Sequence, residues 1–185
     1  MLKLLGGFVI GLVVSGVLAW QVGGGFMIRE YPSPFGLEET AARIQANIVE
    51  HGSKNGWTLS GLRSPSNAIK ALGGVVPNVL LIEACSTDYS KPILKETSTR
   101  ILSILMPCTI TVYEKEDGKT YIGMMNTLLM GQMFPSPVPE IMSKVAKDQA
   151  AFIDFDPAKP APKLIQPKKA GGGSGKGGLQ DLGGC

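Results

Sequence analysis

Three cysteines, Cys85, Cys108 and Cys185, carry the most distinctive chemistry in this chain. Cys85 closes the apolar run IEAC, and Cys108 ends LMPC, just before the next strand pattern. Both thiols therefore fall at one edge of any sheet that those segments build. In an oxidising compartment such a pair can form a disulfide, closing a loop of about 24 residues and contributing about 3 kcal/mol. The same two thiols, with thioethers from Met106, Met124 or Met125, would also suit a redox site or copper(I), a soft cation that prefers sulfur ligands. Plain packing competes with both readings, because buried cysteine and methionine commonly just fill space in a core. Cys185 ends the chain after two glycines, where a thiol on a long arm can visit several sites. The negative charges of Asp181 and the chain end disfavour the thiolate that a carrier thiol would need.

Other chemistries find less support. There is no CxxC and no pair of histidines at ligand spacing, so the common zinc and haem patterns are excluded. His51, the single histidine, reads as a solvated residue near a helix end. Glu83, Asp88, Glu114 and Asp117 are spread through loops and strands without an accompanying base or nucleophile, and read as surface carboxylates. The glycine-rich stretches at 23–25 and 171–178 do not join a strand to a helix, as a phosphate-binding loop must. A net charge of +3 spread over 185 residues makes no basic stripe for nucleic acid. No catalytic constellation and no cofactor are expected.

The elements that would position the cysteines begin with an anchor. From Leu4 to Gly25 there is no charged residue, and about 20 helical residues suffice to cross the hydrocarbon core. Lys3 before the segment and Trp20 near its far end suit a single-pass span of the inner membrane with the rest of the chain in the periplasm. The rival reading is a signal peptide cleaved after Ala19. Gly7, Gly11, Ser15 and Ala19 recur every fourth position, giving a face of small residues against which another membrane helix can pack.

Beyond a glycine hinge at 23–25, Leu37, Ala41, Ile44 and Ile48 keep helical spacing, with Glu38 and Glu39 in the first turn. Gly56 and Trp57 open a short strand. Ser64 before Pro65 caps a helix reaching about Leu72. Val76 to Ala84 is a nearly continuous apolar run, the pattern of a strand buried on both faces or at the centre of a sheet. Ser86 caps a helix toward Glu96 that Pro92 would kink or shorten. TITVYEK and TYIGMMN flank Asp117-Gly118 as a hairpin. A last helix over 139–153 places Ile141, Met142, Val145, Ala146 and Phe152 near one face. The expected fold class is α+β, a small mixed or antiparallel sheet with helices packed on it, preceded by one transmembrane helix.

Taken in order, GW at Gly56, IEAC at 82–85, LMPC at 105–108, VYEKEDGK at 112–119 and MMN at 124–126 resemble the DUF302 domain, an uncharacterised bacterial and archaeal family. The resemblance covers roughly 26–154 and implies a compact α+β fold; it implies no activity. The family typically carries asparagine and proline after the first cysteine, where this chain has Ser86 and Thr87.

Three parts follow: an anchor and hinge over 1–25, a folded domain over 26–155, and a tail over 156–185, Pro/Lys-rich and then glycine-rich, read as disordered. Its ending LGGC is similar over four residues to the glycine-rich arm of thiosulfate-oxidising carrier proteins. Leu164, Ile165, Leu179 and Leu182 could dock into partner grooves. The expected function is a non-catalytic accessory subunit of a membrane-protein complex. The alternative is a thiol-based redox, soft-metal or sulfur carrier using Cys85 with Cys108, or Cys185.

Overall fold

The computed structural model describes residue 15 and residues 25–166. Among them no helix is long and apolar enough to cross a membrane. The expected span at 4–23, Gly7, Gly11 and Ala19 of its small-residue face, and Cys185 lie outside the described residues; Ser15 is helical and exposed.

Five strands form one antiparallel sheet: β1 (Ile28–Pro32), β2 (Trp57–Arg63), β3 (Val79–Ser86), β4 (Cys108–Glu114) and β5 (Thr120–Met125), in the order β1-β5-β4-β3-β2. No pairing is parallel. The helices are α1 (Leu37–Asn55), α2 (Pro65–Ala71), α3 (Thr87–Lys95), α4 (Thr127–Gly131) and α5 (Val138–Phe152), with a 3-10 helix at Arg100–Leu105. The sheet's alternating residues Ile82, Ile110, Val112 and Ile122 are fully buried against Ala41, Ile44 and Ile48 of α1 and Val145 and Phe152 of α5. Period-two alternation in the strands thus meets period-3.6 spacing in the helices, and the core forms where the two apolar surfaces face each other.

Local chemistry sets most boundaries. The Ser64 hydroxyl accepts from Asn67 N at 3.3 Å and starts α2, with Pro65 at its first position. Ser86 does the same for α3, accepting from Tyr89 N at 3.3 Å. Pro92 sits inside α3 without ending it. Gly56 stops α1 in the left-handed conformation, φ 65°. A Cβ there would stand 2.9 Å from Thr87 Oγ1, so both backbone freedom and space call for glycine.

Three features depart from the sequence expectation. The apolar run starting at Val76 becomes a strand only from Val79, and it lies one place from the centre, which β4 occupies. The edge strand β1 was not expected. Residues 156–166, read as the start of a disordered tail, lie instead against α1. Arg43 donates to Asp156 O at 3.0 Å and to Lys159 O at 2.9 Å, and Leu164 packs on the core. Polar side chains of α1 supply the hydrogen bonds that this proline-rich strap cannot make within itself.

Candidate functional site

The register decides how the cysteines meet. Cys108 stands directly opposite Ala84, so it is offset by one residue from Cys85. Cys85 is buried, is engaged in a disulfide, and has its sulfur 3.3 Å from Ser90 Oγ. Cys108 is a free thiol. The expected Cys85–Cys108 bond is therefore not formed. Burial alone pushes the Cys108 thiol up to about 11, away from the thiolate form. Both residues border a small apolar cavity of about 30 Å³ with Trp57, Tyr89, Met106 and Met142, room for little more than a water molecule. Met106 packs on the core beside it and Met124 is buried, whereas Met125 is partly exposed. The two cysteines and Met106 thus share one neighbourhood, and Met125 borders an adjoining recess with Cys108 and Met142.

Beside this cavity lies a polar constellation assembled from distant parts of the chain. Asp148, on α5, accepts from Trp57 Nε1 at 2.8 Å and from the Tyr89 hydroxyl at 2.9 Å, both on Oδ2. Asn55 Nδ2 donates to its two oxygens at 3.0 and 3.1 Å. One carboxylate thereby joins the end of α1, the start of β2, and α3. The Trp57 ring fills the space between, edge-on to Phe152 at 5.1 Å and to Tyr89 at 6.0 Å. Burial first, and then the hydrogen bond to Asp148, push the Tyr89 hydroxyl up to about 12. The Ser86 hydroxyl donates to Asn55 O at 2.6 Å and closes the group. Asp148 escapes sequence reading because its partners lie 59 to 93 residues away. The nearest signal was Trp57 itself, whose indole N–H needs an acceptor once the ring is buried.

The other singled-out carboxylates serve local structure. Glu83 pairs with Arg63, and Glu114 accepts from Asn78 at 2.9 Å. Asp117 accepts from Lys119 N at 3.0 Å and from the Tyr121 hydroxyl at 2.7 Å, holding the hairpin turn. Asp88 lies against Gly56. His51, expected to be solvated, is half-buried against the Phe152 ring at 6.2 Å, because its helix face turns toward α5. Among the described residues no three His, Cys, Asp or Glu side chains gather as a metal site.

Comparison with curated proteins finds no match. Among solved structures, the crystal structure of an uncharacterized conserved protein DUF302 from Bacillus stearothermophilus has the same fold. The TM-score is 0.60 at 23% identity, over 69% of this chain and 96% of that one. The family model described as "Domain of unknown function DUF302" matches residues 29–155, the span that runs from β1 to just past α5. The chain belongs to the DUF302 family.

Proposed function

We propose that the chain is a membrane-anchored, non-catalytic accessory subunit of a membrane-protein complex, held in the inner membrane by one span over 4–23 with its DUF302 domain on the periplasmic side. The observation that carries this reading is the uncharged stretch from Leu4 to Gly25, which runs without a long linker into the first strand of the domain at Ile28. The state of Asp148 adds support. Its two oxygens accept from Asn55, Trp57 and Tyr89, which makes it a fastener between elements. Within the membrane, the face of Gly7, Gly11, Ser15 and Ala19 supplies close-packing for a partner helix.

The test is purification of the full chain in mild detergent from its native membrane, alongside a Gly11→Leu, Ser15→Leu variant. Partners at fixed stoichiometry with the unaltered chain, lost with the variant, are expected. A chain that runs alone in both cases overturns the reading. The thiol-carrier alternative gains no support from Cys108, whose burial works against the nucleophilic form.

A further inference from the structure

Several exposed apolar side chains fall at one end of the sheet, and it is the end at which the N-terminal segment enters. Ile28 pairs with Met125, and Asn126 holds the entering chain by donating from Nδ2 to Phe26 O at 2.8 Å. The same Asn126 caps α4, accepting from Leu129 N at 3.3 Å, so α4 projects from this point. The 3-10 helix joins the surface from the other side, because Ile104, Met125 and Thr127 border one recess of about 180 Å³. Phe26 is 62% exposed, Ile104 84% and Met133 65%, with Leu128 and Leu129 also exposed. Leaving this much apolar area in water is unfavourable, and a patch of this kind marks a surface that is covered in use.

The chain's own geometry says what covers it. Only three residue steps separate Gly23, the end of the expected span, from Phe26, a reach of at most about 11 Å. The headgroup layer on each side of a bilayer is about 5–8 Å thick. A tether that short keeps Phe26 within a few ångström of the headgroup layer. Lys95 and Arg100 are exposed beside the 3-10 helix, and Arg100 Nη2 donates to Lys95 O at 3.1 Å, so cationic groups flank the apolar surface. With Glu96 exposed between them the flank keeps a net charge of +1, and apolar groups beside a cationic excess match a phospholipid surface.

We propose that this end of the domain docks on the lipid bilayer, with Phe26, Ile104, Leu129 and Met133 entering the headgroup layer. The inference rests on the anchored reading and adds a fixed orientation to it: the sheet stands on the membrane on the ends of β1, β4 and β5. The other exposed apolar group, with Val75 98% exposed, lies beyond the opposite end, where Val79 pairs with Tyr113. The length of β4, about 20 Å, separates the two, so Val75 is a built-in control.

The experiment uses the full chain reconstituted into phosphatidylcholine–phosphatidylglycerol vesicles. Benzoylphenylalanine is introduced singly as Ile104→benzoylphenylalanine, Leu129→benzoylphenylalanine or Val75→benzoylphenylalanine. Illumination is followed by mass spectrometry for lipid adducts, and a carbonate wash reports separately whether the span is inserted. Wash-resistant protein with lipid adducts several-fold more frequent at 104 and 129 than at 75 is the expected result. Wash-resistant protein with equal adducts at all three positions overturns the docking while leaving the anchor intact. Adducts from 104 or 129 to a second copy of the chain overturn it in favour of self-association. Protein stripped by the wash overturns the anchored reading, and the docking with it.

Discussion

Gln45 holds Ile165 by both of its backbone groups: Gln45 Nε2 donates to Ile165 O at 3.0 Å, and Ile165 N donates to Gln45 Oε1 at 2.8 Å. A side-chain amide here reproduces one rung of a β-ladder, and it does so from a residue that is almost wholly buried on α1. The strap over 156–166 is thereby part of the folded unit. Leu164, next to that rung, packs on the core.

Gln45→Ala therefore removes two hydrogen bonds and leaves a backbone donor and acceptor without partners, at a cost of about 2 kcal/mol. Urea unfolding should show a lower midpoint with an unchanged slope. A variant as stable as the unaltered protein would show that the strap contributes nothing to the fold.

Asp148→Ala leaves the Trp57 indole, the Tyr89 hydroxyl and the Asn55 amide without their acceptor. A loss of about 3 kcal/mol is expected, with a changed Trp57 emission in the folded state. Asp148→Asn keeps the shape and removes the charge. Because burial is the first cause of the raised Tyr89 value and Asp148 the second, Tyr89 should then ionise below about 12 yet still above an ordinary tyrosine. Ultraviolet titration of the phenolate measures this directly.

Cys108 ties stability to high pH. Its thiol is raised from 9.0 to about 11 on folding, so the unfolded chain releases this proton first. Between those values the unfolded state binds fewer protons than the folded one, and stability falls as pH rises through the window. Below about pH 9 the contribution is fully present. Cys108→Ala should remove that part of the alkaline decline, on the order of 2 kcal/mol. Identical pH–stability curves for the two proteins would rule the linkage out. The same burial predicts slow alkylation of Cys108 by iodoacetamide near neutral pH, becoming fast on unfolding.

Gly56→Ala forces a side chain into a left-handed position, φ 65°, and against Thr87 Oγ1. A destabilisation of about 1–2 kcal/mol is expected, read as a drop in melting temperature. Gly118 is also left-handed, φ 74°, but nothing crowds its Cβ direction, so Gly118→Ala should cost less.

What could be read in the sequence was what adjacent residues decide among themselves. Leu37, Ala41, Ile44 and Ile48 repeat at helical spacing, Ser64 and Ser86 cap the helices that follow them, and Asp117-Gly118 turns a hairpin. β1 was missed because only Tyr31 of its five residues is even half-buried, so no alternation marks it, and its partner β5 lies far along the chain. The strap was misread because proline and lysine signal disorder when taken alone; the groups that order it, Arg43 and Gln45, sit more than 110 residues earlier. Cys85 and Cys108 were expected at one edge of the sheet; β3 and β4 are inner strands, and a one-residue offset in register keeps the two cysteines from standing opposite each other although both border one cavity. That offset is a property of strand pairing, which no single segment encodes.

The edge position of β1 gives the domain a mechanical polarity. β1 is hydrogen-bonded on one side to β5, and the chain enters it at the Ile28–Met125 pair. Tension carried through the N-terminal segment along the strand axis would load these pairs together, in shear, at the one ladder that holds β1. The first part to yield is then a strand that is mostly exposed, while the four remaining strands keep the buried residues Ile82, Ile110, Val112 and Ile122 in place. A pull on the N-terminal segment would be absorbed as lengthening of the chain by the five residues of β1 before the core is disturbed.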